Sequence, residues 1–223
     1  MLEQLRKEDE WFDLFLEDIG EPDDCDKNME KIEEVIGKYK DKLPEQLFTY
    51  WRVLGWCSYG KGLIWMVNPD DYQNILDNWL SQTVFSNRKN LSVIARNAFG
   101  RLYIWDKSKG EIFKISPELN SITYLKERDE NNNFSEDEEN LEIQKFFGNQ
   151  EKEYLDLEDD NDKFLFDKAL KKLGRLKEDE AYGFKLHASI GGGFDLKNLH
   201  IVKLEIYHDI SMQMAPIEWI ILD

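Results

Sequence analysis

Apolar residues in the first third of the chain recur at the spacing of amphipathic helices. Between residues 29 and 43 they fall at steps of three and four, which places them on one face of a helix. They are Met29, Ile32, Val35, Ile36, Tyr39 and Leu43. Pro44 suits the first position of a second helix, and Gly55 suits its end, because glycine readily adopts a positive φ there. The inner stripe of that second helix is Leu47, Phe48, Trp51 and Leu54.

A short apolar run and a helix start follow. Residues 63–67 have the length of a strand, and Asn68 precedes Pro69 and two aspartates. This order predicts a capped helix start, because asparagine accepts hydrogen bonds from the first free amides and acids favour the positive end of the helix dipole. The inward residues of that helix are Tyr72, Ile75, Leu76 and Trp79.

From residue 91 onward the period changes to that of strands. The runs 91–99, 101–105, 111–115 and 121–125 are separated by turn residues, which predicts an antiparallel meander. Farther on, Asp162 is expected to cap a helix that ends at Gly174, and residues 183–190 and 199–207 are expected to return to strand. The predicted fold class is α+β, with a helical N-terminal part, then an antiparallel sheet, then C-terminal helices and strands.

Charge is the most informative part of the composition. The 223 residues contain 29 basic and 46 acidic side chains, for a net charge of −17. Residues 1–34 hold 14 acids and 4 bases, and the segments 127–140 and 151–162 each hold 7 acids and 1 base. Such a field repels phosphates, so direct binding of nucleic acid is disfavoured and a basic protein surface is favoured. The plainer interpretation is that these runs are solvated loops that keep the protein soluble.

Motifs for chemistry are weak. The glycine run 191–193 lacks the Gly-Lys-Ser/Thr ending of a phosphate loop, and no Gly-x-Ser-x-Gly occurs. Neither HxxxH nor HExxH spacing occurs, so His187 and His200 are expected to be core or edge residues rather than metal ligands. We therefore expect no catalytic residues, no metal and no cofactor.

The two cysteines and the N-terminal segment bear on the compartment. Cys25 and Cys57 form no CxxC pair and are expected to be two reduced thiols, although one disulfide is possible. No run of eighteen apolar residues occurs, and the first residues lack the layout of a signal peptide. The expected location is the cytoplasm, without contact with a membrane.

Five aromatic residues stand close in sequence and could line a ligand pocket: Trp51, Trp56, Tyr59, Trp65 and Trp79. Trp51, Trp65 and Trp79 fit buried positions. Trp56 and Tyr59 are expected in a loop after the second helix and are candidates for a partner surface, since tryptophan and tyrosine are enriched at interface hot spots.

The first third of the chain carries a succession of short motifs. They are Leu43-Pro44-Glu45, Tyr50-Trp51, Gly62-Leu63-Ile64-Trp65, Asn68-Pro69 and Asp71-Tyr72. In this order they resemble the GAD-like domain of bacterial immunity proteins. The upstream residues Phe15 and Gly20-Glu21-Pro22 and the downstream Trp79 extend the resemblance.

The second half resembles the C-terminal domain of the type VI secretion DNase-immunity family. The residues that carry this resemblance are 96–100, Leu102, Trp105, 173–184 and Gly191-Gly192. The acidic segment from Glu127 to Asn140 and the end of the chain depart from it. The resemblance implies a non-enzymatic protein that binds and silences a co-encoded nuclease toxin. It also suggests two domains, 1–83 and 84–223, or one continuous globule.

Combining this resemblance with the charge predicts an acidic surface that meets the cationic surface of a nuclease. The candidate partner-binding residues are Asp129, Glu130, Glu136, Asp137, Glu138, Glu139, Asp156, Glu158, Asp159, Asp160, Trp56 and Tyr59. One alternative is a regulatory or scaffolding protein with another protein partner, which the absence of a neighbouring toxin gene would favour. An enzyme with a small-molecule pocket is a second alternative, supported only by the aromatic cluster.

Overall fold

The computed structural model describes residues 1–81 and 83–222. Ten α-helices lie in these ranges: α1 Leu2–Glu8, α2 Glu10–Asp18, α3 Met29–Tyr39, α4 Glu45–Leu54, α5 Gln73–Leu80, α6 Lys126–Asn131, α7 Glu136–Gly148, α8 Lys152–Leu155, α9 Phe166–Leu173 and α10 Leu204–Met214. Ten β-strands accompany them: β1 Pro22–Asp26, β2 Trp56–Tyr59, β3 Ile64–Met66, β4 Leu91–Asn97, β5 Leu102–Asp106, β6 Gly110–Ser116, β7 Ser121–Leu125, β8 Glu180–Phe184, β9 Leu199–Lys203 and β10 Glu218–Leu222.

Eight of the strands form one large sheet in the order β1-β2-β3-β4-β5-β6-β7-β10. Neighbouring strands pair antiparallel except β10, which runs parallel to β7. The predicted meander is confirmed as β4 to β7, and the fold class α+β is confirmed. The first three strands of the sheet lie in the N-terminal part that was expected to be mainly helical, and only β3 falls on a run, 63–67, whose length indicated a strand. Because β3 pairs with β4, the sheet passes through the expected boundary at residue 83, and that boundary stays a prediction.

The helix signals of the first third act as the sequence indicated. Pro44 stands just before α4, and Gly55 ends it at a φ of 84°. A side chain is excluded at Gly55, since a Cβ there would lie 2.1 Å from the carbonyl oxygen of Asp26. The Asn68 side chain accepts a hydrogen bond from the amide of Asp70 and starts a 3₁₀ turn, Pro69–Tyr72, which leads into α5.

Aromatic side chains join the N-terminal helices to the sheet and to α7. The ring of Phe12 stacks on Tyr50 at 4.3 Å between centroids, and Phe15 meets Tyr59 at 4.8 Å. Phe147 of α7 contacts Phe15 at 5.4 Å. All five side chains are fully buried. The two halves of the sequence therefore share these core contacts.

The expected strand 199–207 is wrong in its second half. β9 ends at Lys203, and α10 begins at the next residue. The residues Leu204, Tyr207, His208 and Ser211 are buried, and their spacing is that of one helix face. The alternation of apolar and polar residues through 202–206 is therefore compatible with a strand and with a helix. The helical spacing of the buried residues, which continues to Ser211, favours the helix. The other expected strand, 183–190, is shorter and starts earlier, as β8.

The expectation of two reduced thiols is wrong in this structure. Cys25 and Cys57 form a disulfide, and their Cα atoms are 4.1 Å apart. They are 32 residues apart in sequence, but β1 pairs antiparallel with β2, with Asp23 opposite Ser58 and Asp26 opposite Trp56. The strand pairing brings the two sulfurs together, which sequence separation alone does not show.

Candidate partner-binding surface

The first acidic segment is mostly helical rather than a solvated loop. Asp129, in α6, receives two hydrogen bonds from the guanidinium of Arg88, each 2.8 Å long, and a third from the hydroxyl of Tyr124. Burial opposes ionisation of this carboxyl, but the bonds from Arg88 and Tyr124 outweigh it and lower the pKa of Asp129. Asp129 thus holds α6 against the sheet and is already paired.

The four acids that open α7 divide into two kinds. Glu138 reaches back to the amide of Ser135 at 2.8 Å and forms a capping box with it. Glu139 is buried, 3.7 Å from Lys107, and burial raises its pKa. Glu136 and Asp137 are exposed, as is Glu130 in α6. These last three carboxylates are the ones that remain available to a partner.

In the second acidic segment, Asp156 has a structural task. One of its carboxylate oxygens accepts hydrogen bonds from the amides of Leu157, Leu165 and Phe166 at 2.7 to 3.2 Å, which holds the start of α9. Burial nevertheless raises the pKa of Asp156 to about 6. The role predicted for this residue at a partner surface therefore competes with a role inside the fold.

The other acids of this segment are nearer to solvent. Asp159 accepts a hydrogen bond from the ammonium of Lys168 at 2.7 Å and others from the amides of Asn161 and Lys163. These bonds, above all the one from Lys168, lower the pKa of Asp159. Asp160 accepts a longer bond, 3.3 Å, from the amide of Phe194, and Glu158 is exposed.

Trp56 and Tyr59 do not lie in a loop. They begin and end β2 and are 6% and 0% exposed, so the expected loop position is wrong, while their contact with a partner stays a prediction. Trp56 packs edge-on against Trp51 at 5.8 Å, and Tyr59 lies among the phenylalanines of the core. The reason is the strand itself: β2 pairs on both sides, and all four of its residues are buried.

A groove of about 450 Å³ opens where β1, β2, β3 and α5 face the segments before β8 and at the start of α10. Its lining residues are Asp24, Asp26, Lys31, Trp56, Trp65, Met66, Val67, Asn68, Asp71, Tyr72, Ile75, Glu178, Asp179, Lys203, Leu204, Glu205 and Ile206. Of the residues predicted to bind a partner, Trp56 lines this groove and the others do not. The groove has the size of a ligand or side-chain pocket.

Arg96 lies behind two residues that line the groove, Trp65 and Tyr72, and does not line it itself. Its guanidinium is fully buried, lies 4.4 Å from the ring centre of Trp65, and donates to the hydroxyl of Tyr72 at 3.1 Å. It also donates to the backbone carbonyls of Lys177 and Glu178 at 3.2 and 2.9 Å. Burial lowers the pKa of Arg96. The buried cation thereby fastens the segment before β8 to the large sheet.

The rim of the groove is mainly anionic. Six carboxylates and two ammonium groups line it: Asp24, Asp26, Asp71, Glu178, Asp179 and Glu205, with Lys31 and Lys203. Several of the carboxylates are paired within the chain, Asp179 with Lys203 at 2.6 Å and Asp24 with Arg175 at 2.9 Å. The side chains of Glu178 and Glu205 are exposed, and within residues 1–81 and 83–222 neither has an ion-pair or hydrogen-bond partner.

Sequence reasoning missed this groove. Its rim comes from distant segments, so no spacing in the sequence announces it. The one usable signal is Arg96, a charged residue directly after the apolar run Val93-Ile94-Ala95, which indicates a structural or functional constraint. In the described part of the chain, no group of three or more His, Cys, Asp or Glu residues is placed to hold a metal ion.

Two ranges of the chain match known families. Residues 10–119 match the GAD-like domain. Residues 140–215 match the domain described as T6SS immunity protein Tdi1, C-terminal, where T6SS is the type VI secretion system. The chain carries a GAD-like domain and a Tdi1-type immunity domain. The expected resemblance is confirmed, and a toxin partner is what an immunity domain implies. The groove lies between residues of the GAD-like domain and residues of the Tdi1-type domain.

A solved structure has the same fold. It is described as the crystal structure of Atu4351 from Agrobacterium tumefaciens, and it matches with a TM-score of 0.80 and 23% identity over 93% of this chain and 91% of that chain. The search of curated proteins gave no match. Among the helices of the described residues, none has the length and apolar character needed to cross a membrane.

Proposed function

We propose that this GAD-like, Tdi1-type protein is the immunity partner of a nuclease toxin of the type VI secretion system and acts in the cytoplasm. It binds the toxin in a fixed molar ratio and has no catalytic step of its own. The observation that carries the proposal is the Tdi1-type domain, residues 140–215, in a chain with a net charge of −17.

The charge supports a nuclease as the partner. A nuclease needs a cationic surface to hold phosphates, and an acidic inhibitor is attracted to that same surface. The exposed carboxylates Glu130, Glu136, Asp137 and Glu158 supply charge at the surface, whereas Asp129 and Glu139 are used inside the fold. We therefore assign the exposed group to attraction of the toxin.

Co-purification with the product of the adjacent gene, followed by titration, tests the proposal. Nuclease activity of that product is measured on plasmid DNA at increasing amounts of this protein. We expect activity to fall linearly to zero at a fixed molar ratio.

Two results would contradict the proposal in different ways. Complete inhibition by a small catalytic fraction would show turnover and defeat the stoichiometric mechanism. Absence of binding, or a neighbour without nuclease activity, would reject the assigned partner and favour a regulatory or scaffolding role.

A further inference from the structure

The groove between the GAD-like and Tdi1-type domains combines aromatic walls with an anionic rim. Trp56, Trp65 and Tyr72 supply the aromatic walls, and carboxylates outnumber ammonium groups around them. Aromatic faces and carboxylates both attract cations, and a guanidinium benefits from both at once. The chemistry of the groove is that of a site for an organic cation.

The chain itself already places cations against these walls. The ammonium of Lys31 lies 5.3 Å from the ring centre of Trp56 and 3.8 Å from a carboxylate oxygen of Asp26. On the neighbouring ring, the guanidinium of Arg96 lies 4.4 Å from the centre of Trp65. Lys31 is partly exposed on α3, so an incoming cation can displace its side chain.

Binding capacity remains unused in the groove. The carboxylates of Glu178 and Glu205 have no partner among the described residues, although both line it. The indole N–H of Trp56 is buried and also lacks an acceptor in the part of the chain that the structure describes. A planar guanidinium presents five N–H donors and pairs with carboxylates in a bidentate manner.

We propose that this groove receives an arginine side chain of the toxin, with its guanidinium between Glu178, Glu205 and the ring of Trp56. The inference rests on the proposed function, because it names how the toxin is anchored. Arginine is among the residues most often found as binding hot spots, and a pocket of about 450 Å³ accommodates its side chain. The arginine takes the position over Trp56 that Lys31 holds in the free protein.

The test compares two double variants that remove the same charge. Glu178→Gln with Glu205→Gln changes the groove, and Glu3→Gln with Glu17→Gln changes two exposed acids outside the groove lining. Binding to the adjacent-gene product is measured by surface plasmon resonance, with thermal melts as a check of folding. We expect the groove variant to raise Kd by about tenfold or more, mainly through faster dissociation, since a docked charge pair acts on the off-rate. The control variant should change dissociation by less than about twofold.

Lys31→Met provides an independent test. If the arginine of the toxin replaces Lys31 over Trp56, loss of Lys31 removes a competitor, and binding should be unchanged or tighter. Clearly weaker binding would show that Lys31 itself contacts the toxin and would overturn the proposed position.

The outcomes separate this inference from the proposed function. If the wild-type protein binds and the groove variant binds equally well, the groove proposal is wrong while the immunity function stands. If both double variants weaken binding equally, only overall charge matters, and the groove is again rejected. If the wild-type protein does not bind the adjacent-gene product, the function and the groove proposal fail together.

Discussion

At the scale of single residues, Trp56 and His208 show how buried aromatic and titratable side chains contribute to this protein. Trp56 packs on Trp51 in the core while one edge of it lines the groove. His208 is fully buried on α10 and accepts a hydrogen bond from the indole N–H of Trp79 at 3.0 Å. His208 therefore joins the Tdi1-type domain to the GAD-like domain, whereas Trp56 belongs to both the core and the groove.

Trp56→Ala should destabilise the fold by roughly 3 kcal/mol or more, close to the loss for Trp51→Ala, because both truncations leave a cavity in the core. Tyr154→Ala is the control, since Tyr154 is 68% exposed and should cost little. Urea denaturation of the three variants measures the effect. A Trp56→Ala protein as stable as the Tyr154→Ala protein would show that this ring is not part of the core.

His208 should make stability fall as the pH is lowered. Burial lowers its pKa from 6.5 to about 3, so below pH 6.5 the unfolded chain binds a proton that the folded protein does not. The contribution is complete above about pH 6.5 and is lost as the pH falls toward 3. Between pH 6.5 and 4.5 the loss is roughly 2 to 3 kcal/mol.

Denaturant unfolding of His208→Gln alongside the wild type, at several pH values, isolates this contribution. The glutamine keeps an acceptor for Trp79 and removes the titration. The unfolding free energy of the wild type minus that of the variant should decrease by roughly 2 to 3 kcal/mol from pH 6.5 to 4.5. A difference that stays constant from pH 7 to 4.5 would show that His208 does not couple to folding.

At the scale of elements, the acidic segment 127–140 shows that not every acidic residue in a sequence run contributes free charge to the protein surface. In α6, Asp129 pairs with Arg88. In α7, Glu138 caps the helix and Glu139 lies near Lys107. The neighbouring Glu136 and Asp137 have their side chains in solvent. Residues next to each other in sequence thus divide between stability and partner attraction.

Glu138→Ala should lower the unfolding free energy, because it removes one half of the capping box of α7. Glu136→Ala removes the same charge from the same helix turn but breaks no capping bond, so its cost should be smaller. Both costs can be read from urea midpoints at constant m-value. Equal losses in the two variants would mean that the capping box contributes nothing beyond the helix dipole.

On the scale of the whole molecule, the large sheet and the aromatic core connect the GAD-like domain to the rest of the chain. β3 pairs with β4 across residue 83, and Phe147 of the Tdi1-type domain reaches Phe15 of the GAD-like domain. The groove is bordered by both domains as a consequence. Its negative rim is part of the net charge of −17, which attracts a cationic partner from a distance.

Salt should therefore slow association with the toxin. The Debye length shrinks from about 10 Å at 0.1 M to about 3 Å at 1 M ionic strength, so charges at the surface no longer attract the partner from a distance. Stopped-flow measurement of the association rate across this range should show a decrease of about tenfold or more, with a much smaller change in dissociation. A flat association rate would remove the role assigned to the exposed carboxylates.

The sequence by itself determined the elements whose signals are local. Local signals of spacing, turn residues and capping side chains predict α3, the proline and glycine at the two ends of α4, the Asn68 cap and the meander from β4 to β7. The spacing extends α3 to Leu43, whereas the helix ends at Tyr39. The family resemblance is also local in origin, because it is carried by short motifs. The excess of acidic residues is likewise readable without a structure.

Only the tertiary structure decided what depends on residues far apart in the chain. The pairing of β1 with β2 joins Cys25 to Cys57, and burial on both sides of β2 turns Trp56 and Tyr59 from expected surface residues into core. Burial of one face of α10, with His208 bonded to Trp79 of α5, favours a helix where alternation suggested a strand. The groove exists because separate segments meet over Arg96, and no local pattern contains the contacts that bring them together.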